Sequence, residues 1–257
     1  MKSKTGRANI NFHNCDNMVH MKTVNDNHYD IGILDPEWGV GASKPSKKPN
    51  KAKQKNGKTL SVKQPTLKDK EWDNKPVSKE WGDEIFRITK NQIIWGANFL
   101  EWAVGETFKP PRRSEFNEFI KKYPYGWIIW DKMNGNSDQW DCELAWTSFN
   151  RPTIIHEYLW AGMMQGSKLN GKIQEGNKKL NEKRIHQTQK PIQLCKWQLN
   201  TFVNKGDSIY DSNGGAAGLA IASWDLGFDL DIIEIDKEYF DTGWTRFETH
   251  TSQTQLF

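Results

Sequence analysis

Apolar residues along this chain fall into two patterns, short continuous runs and helically spaced stripes. Ile31 to Leu34 is a continuous run, within a strand expected over Tyr29–Leu34, that stops at Asp35-Pro36-Glu37-Trp38. It reads as a buried strand closed by an acid, a proline and an aromatic. Trp81, Ile85 and Ile88 fall at helical spacing, which predicts a helix over Ser78–Thr89 with Ser78 as its N-cap. Gln92–Trp95, Tyr125–Trp130, Glu143–Phe149 and Thr153–Trp160 read as further strands, and Pro110–Lys122 as a basic, partly helical connector. Residues 1–28 are polar and mixed and allow only a short strand or loop.

The pattern sharpens towards the C-terminus. Ile192, Cys195, Leu199 and Phe202 share one helical face, and Lys205-Gly206-Asp207 ends that helix. Ser208–Asp211 reads as a strand, followed by the small-residue turn Ser212 to Gly218. A helix then runs to about Leu226 with Gly227 as its C-cap residue, and a strand over Phe228–Ile235 carries Glu234 at its carboxyl end. Strand, Gly-rich turn, helix and acid-ended strand make a β-α-β nucleotide-binding unit. The glycines allow close backbone approach and the acid can accept ribose hydroxyls. No G-x-x-x-x-G-K-[ST] occurs, which argues against a phosphate-loop nucleotidase.

Charge changes the picture in one region. From Lys44 to Lys75 eleven lysines stand against Asp69, Glu71 and Asp73, a local charge of +8 that leaves −4 for the rest of a chain whose total is +4. Such a block is commonly a solvated loop. It equally suits a polyanion such as nucleic acid, where phosphate neutralisation releases counterions. A second polar, basic stretch spans 162–185. The three cysteines, Cys15, Cys142 and Cys195, are scattered and without CxxC spacing, which predicts a reduced, cytoplasmic protein with neither disulfide framework nor structural metal. No apolar run is long enough to span a membrane. The N-terminal MKSKTGRANINFHN lacks the apolar centre of a secretory signal.

Taken singly, the chemistry-bearing residues have plain structural readings. Asp35-Pro36 suits an ordinary turn, Trp38 a core position, His186 the surface, and Glu234 a cap or a lysine pair. Their order is more specific. DPEW (35–38), HQTQKP (186–191), DSNGGAAG (211–218) and IIEID (232–236) resemble, in that sequence, the signature blocks of the β-group amino-methyltransferases. These are S-adenosylmethionine-dependent DNA methylases of phages and restriction-modification systems that act on exocyclic amines. The intervening IIWGANF, WIIWDK, CELAWTSF and GNKKLNEKRIH are similar to phage-type members, so the likeness runs from about Asp30 to Phe240.

The resemblance implies an α/β fold: a Rossmann-like, doubly wound mixed sheet of the class I methyltransferase type, circularly permuted so that the catalytic block precedes the cofactor block. It would form a single domain over 1–257, with a basic insertion at about 39–76 and a flexible recognition or lid segment at about 162–185. In this reading Asp35 and the Pro36 carbonyl hold the two hydrogens of an exocyclic amine, localising a lone pair otherwise delocalised into the ring. Trp38 would support a base flipped from the duplex. Asp211, Ser212, Asn213, Gly214, Gly215 and Ala216 would line the S-adenosyl-L-methionine site, with Glu234 on the ribose. His186, Gln189 and Lys190 would contact the methionine end or order the pocket. Lys44, Lys47, Lys48, Lys51, Lys53 and Lys55 would meet double-stranded DNA. A homodimer and a cognate restriction nuclease are the further partners the family suggests.

The aspartate that opens the first block favours adenine-N6 over cytosine-N4, and no Pro-Cys pair supports cytosine-C5 chemistry. RNA adenine is a weaker alternative. Three departures stand out: Glu37 for the family's second proline, Gln187 for a proline, and Ala217 for a glycine. They leave open a weakened or inactive protein that only binds DNA.

Overall fold

A computed structural model describes residues 7–41, 51–53, 59–61, 73–134, 140–161, 164–166, 181–186 and 188–254. In chain order the strands and helices are β1 (Ile10–His13), α1 (Asn17–Met21), β2 (Tyr29–Leu34), β3 (Lys51–Lys53), β4 (Thr59–Ser61), α2 (Lys79–Ile88), β5 (Thr89–Trp95), α3 (Glu101–Val104), α4 (Phe116–Lys122), β6 (Trp127–Asp131), β7 (Cys142–Thr147), β8 (Ile154–Glu157), β9 (Leu159–Ala161), β10 (Met164–Gly166), α5 (Ile192–Phe202), β11 (Ser208–Asp211), α6 (Gly218–Leu226), β12 (Asp229–Ile233) and α7 (Lys237–Thr254).

Among the described residues the main sheet has eight strands in the order β1-β12-β11-β2-β5-β7-β6-β8. Neighbours from β1 to β5 are parallel, β7 runs against both β5 and β6, and β8 is parallel to β6. Alternate strand residues feed two separate cores. Ile31, Ile33, Ile209 and Ile232 pack with residues of α5, α6 and α7, whereas Tyr29, Leu34, Tyr210 and Ile233 pack with residues of α1, α2 and α4. Helices therefore cover both faces, and the fully buried stretches Ile31–Leu34 and Ile93–Trp95 are apolar because neither face meets water. The fold is a doubly wound mixed α/β sheet.

Strand order fixes where a ligand can bind. From β11 the chain passes through α6 to β12 on one side, and from β2 through α2 to β5 on the other. The pair β11/β2, in register at Ile209–Ile31 and Tyr210–Gly32, is therefore the point where the winding reverses. A crevice opens there, beyond the carboxyl ends of both strands.

Several elements differ from the sequence reading. Residues 10–13 form a full edge strand, its polar Asn11 bonded to the Asp231 carboxylate (2.6 Å). Helix α1 follows, capped by Asp16, which accepts from Val19 N at 2.9 Å. Helix α7 has no counterpart in the sequence reading, since Thr, Glu and Gln dilute its stripe; Phe240, Trp244 and Phe247 nonetheless meet Phe12 of β1. The strand expected over Thr153–Trp160 is broken at Tyr158, whose N–H turns to the Asp131 carbonyl (3.0 Å). Inside the first basic stretch β3 pairs with β4, and in the second β10 pairs back onto β9, which precedes it. Lys51 and Lys53 are on β3; Lys44, Lys47, Lys48 and Lys55, and Gln187 of the HQTQKP block, lie outside the described residues. No described helix is long and apolar enough to cross a membrane.

Candidate active site

The crevice at β11/β2 holds a cavity of about 350 Å³. It is lined by Asp35, Pro36 and Trp38 from the end of β2, by 211–216 from the end of β11, by Glu234 from the end of β12, and by His186, Gln189 and Lys190. Residues at opposite ends of the chain thus share one wall.

The acid at the end of β2 is engaged. Lys190 Nζ lies 2.7 Å from Asp35 Oδ1 and 3.0 Å from Glu143 Oε2, and Glu143 Oε1 lies 2.6 Å from Lys132 Nζ. The four side chains make a chain of alternating charge across the sheet ends. Only 10% of the Lys190 side chain is exposed, so its charge depends on these partners. Burial alone would lower the Lys190 pKa, but Asp35 and Glu143 outweigh it and hold the ammonium charged. Burial would raise Glu143, yet Lys132 and Lys190 bring it down to about 2. Asp35 moves the other way: burial pushes it above the ordinary carboxylate value, against the pull of Lys190. Its Oδ1 is committed to Lys190, which leaves Oδ2 to accept a hydrogen from a ligand.

The loop after β2 is held from outside the DPEW block. Asp73 accepts from Trp38 N (2.9 Å) and Gly39 N (2.8 Å), and Glu37 O accepts from Val77 N (3.1 Å). Gly39 has φ +73, and a Cβ there would stand 2.4 Å from Pro76. Trp38 stacks on Phe99 (5.6 Å, 21°), which stacks on Trp140 (5.0 Å, 22°). Lys190 Nζ sits 4.8 Å from the Trp38 ring centroid. Gly96, at φ +68, makes room for the indole: a Cβ would lie 2.1 Å from its Nε1.

The glycine turn is shaped by its own backbone. Gly214 N donates to Ile233 O (2.7 Å) and Ala217 N to Gly214 O (2.8 Å), while a Cβ on Gly214 would meet Ile232 at 2.7 Å. Glu234 accepts from Gly215 N and Asp236 N, both at 2.8 Å. Asp211 accepts from Asn213 N (3.0 Å); burial, with Asp35 and Glu234 adding, pushes it up to about 7. Ala217, which stands where the resembling family has glycine, takes the left-handed conformation (φ 56) that glycine adopts without strain.

No family model matches the sequence, and no curated protein matches it. Among solved structures the chain is similar to M1.HpyAVI in complex with SAM, at 17% identity and a TM-score of 0.48, over 92% of this chain and 99% of that one. It is similar to TTHA0409 of Thermus thermophilus complexed with S-adenosyl-L-methionine, at 15% identity and a TM-score of 0.43, over 93% and 95%. The PvuII cytosine-N4-specific DNA methyltransferase matches at 10% identity and a TM-score of 0.47, over 95% and 91%.

The site also draws on residues that the sequence does not single out. Asp73 and Trp140 carry no motif, Glu143 and Phe99 lie in the similar stretches CELAWTSF and IIWGANF without an assigned role, and the contacts of all four exist only once the sheet is assembled. Glu182, in GNKKLNEKRIH but given no role there, accepts from Gln189 Nε2 (2.8 Å) and Ile192 N (2.9 Å) and binds Arg246, which also donates to Ala216 O (2.6 Å). Gln189 accordingly ties the 181–186 segment to α5 with its amide, its Oε1 accepting from Ile185 N at 2.9 Å. His186 packs edge-on against Tyr239 at 4.3 Å.

Proposed function

We propose that this protein is an S-adenosyl-L-methionine-dependent methyltransferase acting on an exocyclic amine of a DNA base, with adenine-N6 as the target. The observation that carries the reading is the adjacency of Asp35 and the glycine turn across β11/β2, on one cavity. A cavity of this size falls in the range of small-molecule sites.

The residues present fit the methyl donor. The turn at 213–216 offers a backbone cradle that a Cβ at Gly214 would fill, and Glu234 and Asp211 are carboxylates able to accept hydroxyl and ammonium hydrogens. When bound, the donor supplies an electrophilic sulfonium methyl. Asp35 Oδ2 and the Pro36 carbonyl would accept the two amine hydrogens and so localise the nitrogen lone pair for transfer. Lys190 fixes the Asp35 carboxylate from the other oxygen. Trp38, with Phe99 beside it, forms an aromatic wall for a base drawn out of the duplex. The lysines of 44–55 supply phosphate contacts.

The test is methyl transfer from labelled donor to duplex DNA, single-stranded DNA and RNA, with the modified nucleosides identified. N6-methyladenine from DNA is the expected product; N4-methylcytosine, or transfer only to RNA, would replace the target assignment. Asp35→Ala should lower turnover by at least about a thousandfold while donor affinity changes little. Equal loss of both would remove Asp35 from the amine-holding role.

A further inference from the structure

We propose that Glu37 receives the positive charge of the methyl donor and thereby sets how this protein discriminates among adenosyl ligands. The inference rests on the donor assignment and is independent of which base is methylated.

Glu37 stands where the resembling family has proline, so its carboxylate is a feature of this chain. Its backbone is pinned by the Val77 N–H (3.1 Å), and its Oε1 reaches across the crevice to accept from Asn213 Nδ2 on the glycine turn (3.2 Å). The side chain therefore bridges the two strand ends that define the cavity, and Glu37 lines it. Burial pushes its pKa up against a hydrogen bond from its own backbone N–H, and the acids Glu234, Asp73 and Asp35 add to the rise. Among the described residues no lysine, arginine or histidine pairs with it, and Lys190 is taken by Asp35 and Glu143. A carboxylate partly withdrawn from water and repelled by like charge is costly unless a cation joins it. The donor brings two such cations, a sulfonium and an α-ammonium. S-Adenosylhomocysteine, the product, keeps only the ammonium, and adenosine has neither.

Calorimetric titration of the three ligands into the full chain and into Glu37→Gln tests this. Adenosine should bind both proteins alike, which shows that the variant's pocket is intact. S-Adenosylmethionine should bind the variant about tenfold or more weakly, the size expected for a lost charge-assisted contact. An equal loss for S-adenosylhomocysteine assigns Glu37 to the ammonium, and an unchanged product affinity assigns it to the sulfonium; either supports the proposal. Unchanged affinity for both charged ligands would overturn it, and so would a parallel loss of adenosine, because Glu37 would then be only a bridge to Asn213. If the parent chain binds none of the ligands, the donor assignment itself fails.

Discussion

At the scale of single residues, the candidate site concentrates carboxylates whose charges are poorly matched until a ligand arrives. Asp35 has Lys190; among the described residues Asp211 has backbone N–H support alone, and burial pushes its pKa up to about 7. The folded-state pKa of Asp211 lies above its ordinary value of 3.8, so the folded protein keeps a proton that the unfolded chain releases. The stability this provides is fully present below about pH 4 and is lost progressively as pH rises through about 7. Asp211→Asn, neutral at every pH, should therefore stabilise the unliganded protein more at about pH 8 than at about pH 4, by on the order of 2–4 kcal/mol. Thermal or denaturant unfolding at the two pH values checks this, and an equal gain at both would show that charge is not the cause. Ala217 carries strain of its own: a left-handed alanine costs about 1 kcal/mol. Its Cβ lies close to Gly243, where an added Cβ would come within 3.3 Å of it.

At the scale of elements, the loop after β2 depends on a segment distant in sequence. Asp73, only 2% exposed, closes the lysine-rich insertion onto Trp38 and Gly39. Asp73→Ala should cost about 2–4 kcal/mol, because two backbone N–H groups lose a charged acceptor. It should also lower methyl transfer more than donor affinity, since the loop and not the glycine turn is released. Denaturant unfolding alongside turnover and titration measures both, and a stability loss with full turnover would free Trp38 from needing this clamp. The elements legible in the sequence are those with strong local signals. β2 and β11 have the bounds their apolar runs predict, and Ser78 caps α2 through Trp81 N at 3.4 Å. β1 and α7 are illegible because their polar residues are satisfied by partners more than two hundred positions away or by solvent, which hides the apolar stripe.

At the scale of the whole molecule, charge separates along the chain: a basic block before α2, an acidic cavity at the sheet ends. That polarity suits a protein that grips a polyanion with one region and a cationic cofactor with another. Replacing Lys44, Lys47, Lys48, Lys51, Lys53 and Lys55 by glutamine should flatten the dependence of log Kobs on log salt for duplex binding by up to about 5. Fluorescence anisotropy across a salt series measures the slope, and an unchanged slope would return the block to a solvated loop.

The sequence by itself determined the local chemistry: which runs become strands, where the glycine turn falls, and which acids and aromatics end up at strand termini. Those depend on periodicity and turn stereochemistry, which are written within a few residues. The tertiary structure alone decided that β2 lies beside β11. That single adjacency puts Lys190 on Asp35 across 155 positions and Asn213 on Glu37 across 176. Parallel neighbours are joined by long crossovers, so their order is set by how helices pack on the two faces of the sheet, and no short stretch of sequence carries it.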